Sequence, residues 1–266
     1  MRPREVHCWK FRPSEFVIDE LVAVLSAEER ARANRFVFQR DRTEYIACRG
    51  VLRHLLSRYA GIAAPDIQFE YSARDKPMLA QRFRSRIQFN VAHSRGAALI
   101  GITCVAPVGV DIERIGPLAR VSALVPSCFA PEEQAEFARL PERIQPRAFY
   151  AGWTRKEAFI KATGEGLSRP LHSFAVTIAP DASPKLLRCH HYPASAAAWT
   201  IVDLATDDGF AAAVAVPASD ISVVSRDLPP QALGLKQARG YDRHERQRDG
   251  VEIGFREEQA DATVVS

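Results

Sequence analysis

The chain has 266 residues, 47% hydrophobic and 26% charged, with a formal net charge of +4. That is ample for a packed core, while no run of some 18 apolar residues exists to span a membrane. The N-terminus, MRPREVHCWK, is too charged for a secretory signal; Cys8, Cys48, Cys104, Cys128 and Cys189 form no CxxC pair and suit free thiols in a reducing cytoplasm.

The basic residues are informative in kind. Thirty are arginine and six are lysine: Lys10, Lys76, Lys156, Lys161, Lys185 and Lys236. A lysine kept against that bias marks a place for a compact point charge rather than a planar fork. The mild positive balance favours polyanionic partners without choosing among them.

In chain order, residues 5–11 alternate and read as a strand. Ser26 caps a helix whose first turn carries Glu28 and Glu29. A longer helix over 39–60 has Tyr45, Cys48, Leu52, Leu55 and Tyr59 at helical spacing and closes at Gly61; Arg49 and Arg53 share one of its faces. Strands follow at 67–71, 87–92 and 97–103, the last two turned through Ser94–Arg95–Gly96. In VGVDIE, Val108, Val110 and Ile112 alternate with Gly109, Asp111 and Glu113. A short helix is predicted near 131–139 and a strong one over 146–163, ended by Gly164. Strands at 174–178, 198–204 and 210–216 complete a second set. HSRGAALIGI and DDGFAAAVAV look like echoes of one Gly-turned hairpin, each following a long helix. From Arg226 onward the chain is charged and aperiodic, and reads as a disordered or loosely attached tail, 226–266.

Three stretches carry chemistry. Asp111 and Glu113 lie on one side of an extended segment, with Cα atoms about 6.6 Å apart. Two such carboxylates suit Mg²⁺ shared with substrate phosphates, and equally a wet strand face. In WTRKEAFIKATGEGL, 153–167, Glu157 falls within about 60° of Trp153 and Ile160, bordering the apolar stripe, with Lys161 one turn on. That pair reads either as functional or as an ordinary helix ion pair. In FNVAHSRG, 89–96, His93 ends a strand beside a tight turn, and Lys76–Pro77 adds a cation held before a rigid residue.

Taken together and in order, Lys76–Pro77, FNVAHS, GVDIE, FAPEE (129–133) and WTRKEAFIKATGEGL resemble the 4′-phosphopantetheinyl transferase family, in its larger, surfactin-synthetase-activating branch. The resemblance covers roughly residues 25–180. It implies an α+β fold of two pseudo-twofold halves, here 1–107 and 108–225, each a small antiparallel sheet on a long helix, with coenzyme A between them. It implies a monomeric cytoplasmic enzyme, acting on no nucleic acid or membrane, that moves the 4′-phosphopantetheine arm of coenzyme A to a serine of an apo acyl or peptidyl carrier protein. Mg²⁺, or Mn²⁺ in its place, would rest on Asp111, Glu113 and Glu157. Glu157 and Lys161 carry over as catalytic; Lys76, Lys156 and Lys161 as phosphate-binding; His93, with Arg49 and Arg53, as contacts to the 3′-phosphate. Ala92 departs from the pattern, standing where many members have serine.

Two other readings compete: a different Mg²⁺-dependent phosphoryl enzyme, disfavoured by the lack of a GxxxxGK[ST] loop, and a degenerate relative that binds coenzyme A or a carrier protein without transfer. Nucleic-acid binding is disfavoured because no aromatic-interleaved basic stripe is present.

Overall fold

The computed structural model describes residues 1–166, 169–189, 196–207 and 209–238, with Arg120 and Ala196 described by their backbones alone. The first half runs β1 (Glu5–Phe11), α1 (Ile18–Val22), α2 (Ala27–Ala33), α3 (Gln39–Ala60), β2 (Phe69–Tyr71), β3 (Pro77–Leu79), β4 (Gln88–Ser94) and β5 (Ala97–Thr103). The second runs β6 (Gly109–Arg114), α4 (Leu118–Val121), α5 (Val125–Cys128), α6 (Pro131–Arg139), α7 (Gln145–Thr163), β7 (Phe174–Val176), β8 (Leu186–Cys189), β9 (Thr200–Asp203) and β10 (Phe210–Val216), followed by β11 (Ser222–Asp227).

Local sequence accounts for the main elements. The Ser26 hydroxyl accepts the Glu29 N–H while the Glu29 carboxylate accepts the Ser26 N–H, a reciprocal cap that starts α2. Both long helices, α3 and α7, end on a left-handed glycine, Gly61 and Gly164.

The echo in the sequence is an echo in topology. Each half is a strand, a long helix closed by glycine, a two-stranded ribbon and a final hairpin. Each sheet is ordered first–last–penultimate, β1-β5-β4 and β6-β10-β9, with antiparallel neighbours. The two sheets pack face to face through Val6, Cys8, Leu99, Val110, Ile112 and Val214. Outside them, α3 packs Val51, Leu52, Leu55 and Leu56 over the first sheet, and α7 packs Ala158, Phe159 and Ala162 over the second. The fold is therefore α+β in four layers. Gly109 lets β6 lie against α7, because a Cβ there would come within 2.0 Å of the Ala158 carbonyl oxygen.

One expectation fails at its boundary. The predicted tail begins at 226, yet Arg226 and Asp227 belong to β11, which pairs in parallel with β1. Beyond it, Leu228 and Leu233 sink into the first-half core, and the Ala238 N–H bonds the Glu15 carbonyl. Two anchoring leucines are too few to register as a periodic pattern, although they suffice to bind the segment. The rest of that tail, 239–266, lies outside the described residues, as does Leu167 of the motif ending GEGL. No helix among the described residues is long and apolar enough to cross a membrane.

Candidate active site

β6 and α7 carry the centre of the site. Alternation along β6 sends Val110 and Ile112 into the core between the sheets, leaving Asp111 and Glu113 on the side of α7. Lys161, in the last turn of α7, donates to Asp111 Oδ1 at 2.7 Å. Glu157, one turn earlier, is buried beside the same carboxylate, and its Oε1 makes no hydrogen bond among the described residues. Thus the structure brings Asp111, Glu113, Glu157 and Lys161 into one electrostatic neighbourhood.

The charges there are unbalanced. Burial pushes the Glu157 carboxyl up to about 7, with repulsion from Asp111 adding to it and Lys161 opposing. Burial and Asp111 likewise push Glu113 up to about 7, against the hydrogen bond from Ser94 and the pull of Lys161. For Lys161, burial acts to lower the ammonium, but the carboxylates of Asp111, Glu157 and Glu113 outweigh it and raise its value. Three acids share one ammonium.

Among the described residues, no three His, Cys, Asp or Glu side chains close into a metal cage; the Lys161 ammonium lies against Asp111 instead. The donor set still fits a hard divalent cation. All three groups are carboxylates, two are pushed up to about 7 by burial and by the charge of Asp111, and a buried Glu157 oxygen has no hydrogen-bond partner among the described residues.

Around this centre the predicted residues divide. Lys76 reaches across from the first half, its ammonium donating to the carbonyls of Val108 and Lys161 at 3.1 and 2.5 Å. Burial brings it down to about 8. It lines a cavity of ≈ 230 Å³ with Gln88, Phe89, Pro107, Thr163 and Gly164. His93 lies 3.4 Å from Glu44 of α3. Arg49 stacks over Phe69 at 4.9 Å, stands 3.6 Å from Glu29, and keeps a buried Nη1 without a hydrogen-bond partner among the described residues.

Two expectations fail in the fold. Lys156 does not face the cleft: its side chain is 0% exposed and its ammonium binds Glu133 at 2.6 Å and the carbonyls of Leu171 and Phe174. Glu133 is filled in turn by the N–H groups of Ala130 and Val176. Arg53 is likewise internal, 2% exposed, donating to Glu29 at 2.7 Å and to the carbonyls of Ala64 and Ile67. The Lys156 ammonium and the Nε and Nη1 groups of Arg53 are spent within the fold, and neither buried side chain is placed to meet a phosphate. Ala92 is buried in the core between the sheets.

Residue patterns also missed two participants. Glu44 accepts from the Gly96 N–H and faces His93; burial would raise its carboxyl, but His93, Gly96 and Arg40 hold it below the usual range. Ser94 donates to Glu113 at 2.7 Å. Ser94 stood inside a recognised motif, whereas a single acid on a helix carries no pattern. A larger cavity, ≈ 510 Å³, is lined by Arg147, Thr154, Asp203, Asp207 and Phe210 and by none of the predicted site residues, so size does not mark the site.

Comparison with known proteins bears on the family of the chain. A family model described as the 4′-phosphopantetheinyl transferase superfamily matches residues 107–215, and one described as 4′-phosphopantetheinyl transferase, N-terminal, matches 7–102. The chain is similar to the 4′-phosphopantetheinyl transferase HetI of a Nostoc strain, 36% identical across 80% of this chain and 87% of the relative. It is also similar to the transferase psf-1 of Bacillus pumilus, 33% identical over 64% and 70% of the two chains, and to Sfp of Bacillus subtilis, 29% identical over 61% and 70%. With both halves matched and the acidic strand lying against α7, the chain belongs to the 4′-phosphopantetheinyl transferase family of enzymes.

Proposed function

We propose that the enzyme moves the 4′-phosphopantetheine arm from coenzyme A to a serine hydroxyl of an apo acyl or peptidyl carrier protein, releasing adenosine 3′,5′-bisphosphate. The observation that carries the reading is the cluster of Asp111, Glu113 and Glu157 against a single paired ammonium, Lys161. Such a site is short of positive charge, and a diphosphate arriving with a divalent ion corrects the deficit.

Phosphoryl transfer depends mainly on positioning and charge neutralisation, and needs no covalent enzyme intermediate. Asp111, Glu113 and Glu157 would hold Mg²⁺ or Mn²⁺, which when bound neutralises diphosphate oxygens and stabilises the leaving group. Glu157, poised near neutral pH, takes the serine proton directly or through water. Lys161 and Lys76 offset charge on the phosphates, while His93, steadied by Glu44, and Arg49 receive the 3′-phosphate end of coenzyme A. The carrier docks along 121–129 and α6, where Ser122, Ala123, Pro126 and Ser127 are exposed, with Arg114 and Arg139 steering an acidic partner and Arg120 beside them in sequence. The enzyme works as a cytoplasmic monomer.

The test is direct. Incubation with coenzyme A, Mg²⁺ and an apo carrier protein should add about 340 Da to the carrier by mass spectrometry, the formula mass of the arm in this chemistry. EDTA should abolish the gain. Binding of coenzyme A without any mass gain across several carriers would instead identify a degenerate relative.

A further inference from the structure

β4 and β6 belong to different sheets, yet they run side by side in the same direction with a constant offset of 20 residues. Side chains of β4 meet the backbone of β6. The Asn90 carboxamide oxygen accepts the Val110 N–H at 2.8 Å. The Ser94 hydroxyl accepts the Arg114 N–H at 3.4 Å and donates to Glu113 Oε2 at 2.7 Å. Asn90, Ala92 and Ser94 occupy one face of β4 by the period of two, and Ala92 between them packs into the apolar core with Val110 and Ile112. The face therefore reads polar, apolar, polar, with its two polar ends set on the two backbone amides that bracket Asp111 and Glu113.

Like charges two residues apart on one strand push each other away from a shared target, so their placement has to come from outside the pair. Among the described residues, backbone pairing supplies it on one edge of β6 only, where β10 is its neighbour. On the other edge, Asn90 and Ser94 take over the task of a missing ladder. We infer that Asn90 and Ser94 are positioning residues, which pin β6 to β4 and thereby aim Asp111 and Glu113 at α7. The seam stands on the contacts above; its consequence for a metal rests on the function proposed in the preceding section.

Hydrogen exchange of the segment 109–114 and calorimetric titration with Mg²⁺ test the two parts separately. In Asn90→Ala, exchange of that segment should quicken about tenfold, the factor that one hydrogen bond of ordinary strength is worth. Asn90→Asp keeps an acceptor oxygen and should exchange like the parent. Ser94→Ala should weaken Mg²⁺ binding about tenfold, as loss of a partner to a ligating carboxylate does, at a nearly unchanged melting temperature. Ser94→Thr should restore the affinity. A merely structural seam would lower melting temperatures and leave Mg²⁺ affinity at the parent value. Parent-like exchange in Asn90→Ala overturns the seam, and parent-like Mg²⁺ affinity in Ser94→Ala overturns the aiming role. Should the parent itself bind no Mg²⁺, the metal reading falls, and the exchange result still decides the seam.

Discussion

Lys161 and Asp111 are joined by a 2.7 Å ion pair between the last turn of α7 and the middle of β6. Removing the ammonium leaves Asp111, Glu113 and Glu157 to repel one another with no internal cation. Lys161→Ala should lower kcat/KM by about 100-fold or more, in line with loss of a preorganised charge at the reacting group. It should also melt earlier in EDTA than in Mg²⁺, by a wider margin than the parent does. Equal margins in a thermal-shift assay would count against a shared cation site.

Glu157→Gln keeps the shape of the side chain and removes its ability to accept a proton. Holo-carrier formation should slow by about 100-fold or more, while the melting temperature holds, because a neutral amide is easier to bury than a carboxylate. Near-normal transfer would take Glu157 out of the chemistry.

Stability should depend on pH in a defined direction. Glu113 and Glu157 each sit at about 7 in the folded chain, against an ordinary carboxyl value of 4.5. The folded form therefore holds more protons than the unfolded form between those limits. Stability is greatest on the acid side of that window and falls as pH climbs through it, with the loss complete above about 7. Because Mg²⁺ favours the ionised carboxylates, the melting-temperature gain on adding it should be larger near pH 8 than near pH 6. A gain that shrinks with rising pH would contradict the assignment.

Lys76 both lines the cleft and ties β6 to the end of α7 through two carbonyls. Lys76→Ala should raise the KM for coenzyme A and also lower the melting temperature. In the parent, affinity for coenzyme A should decline as pH rises past about 8, where the ammonium titrates. An unchanged KM would remove Lys76 from substrate binding.

Lys156→Ala separates a phosphate ligand from an internal strut. With the buried Glu133 carboxylate left without its cation, the variant should lose about 3–5 kcal/mol of stability. Denaturant unfolding measures this. A variant of full stability with only a raised KM for coenzyme A would restore Lys156 to the cleft.

Much of this was legible before the fold was known, and the exceptions have a common cause. Capped ends and apolar stripes marked α2, α3 and α7, and the ordered motifs marked Asp111, Glu113, Glu157 and Lys161. What the sequence does not reveal is which way a side chain turns once its helix is wrapped on nearly every side. Along α7 the residues from Ala148 to Ala162 are almost all buried, so a helical wheel cannot separate Lys156, turned to Glu133, from Glu157, turned to β6. Arg49 and Arg53 share a face, as their spacing indicates, yet only Arg53 is fully buried, bound through Nε and Nη1 to Glu29 and local carbonyls. β11 went unread because its hold comes from pairing with a strand more than two hundred residues away, which no short window of sequence displays.

The parallel pairing of β11 with β1 also governs how the molecule is made. The outer edge of the first strand waits for the last one, so the N-terminal sheet is finished only after nearly the whole described chain has left the ribosome. A fragment stopped at residue 107 would carry a bare strand edge from Glu5 to Lys10, open to pairing with other copies. The first half is therefore not a self-sufficient module: its sheet is completed by a strand that follows the second half.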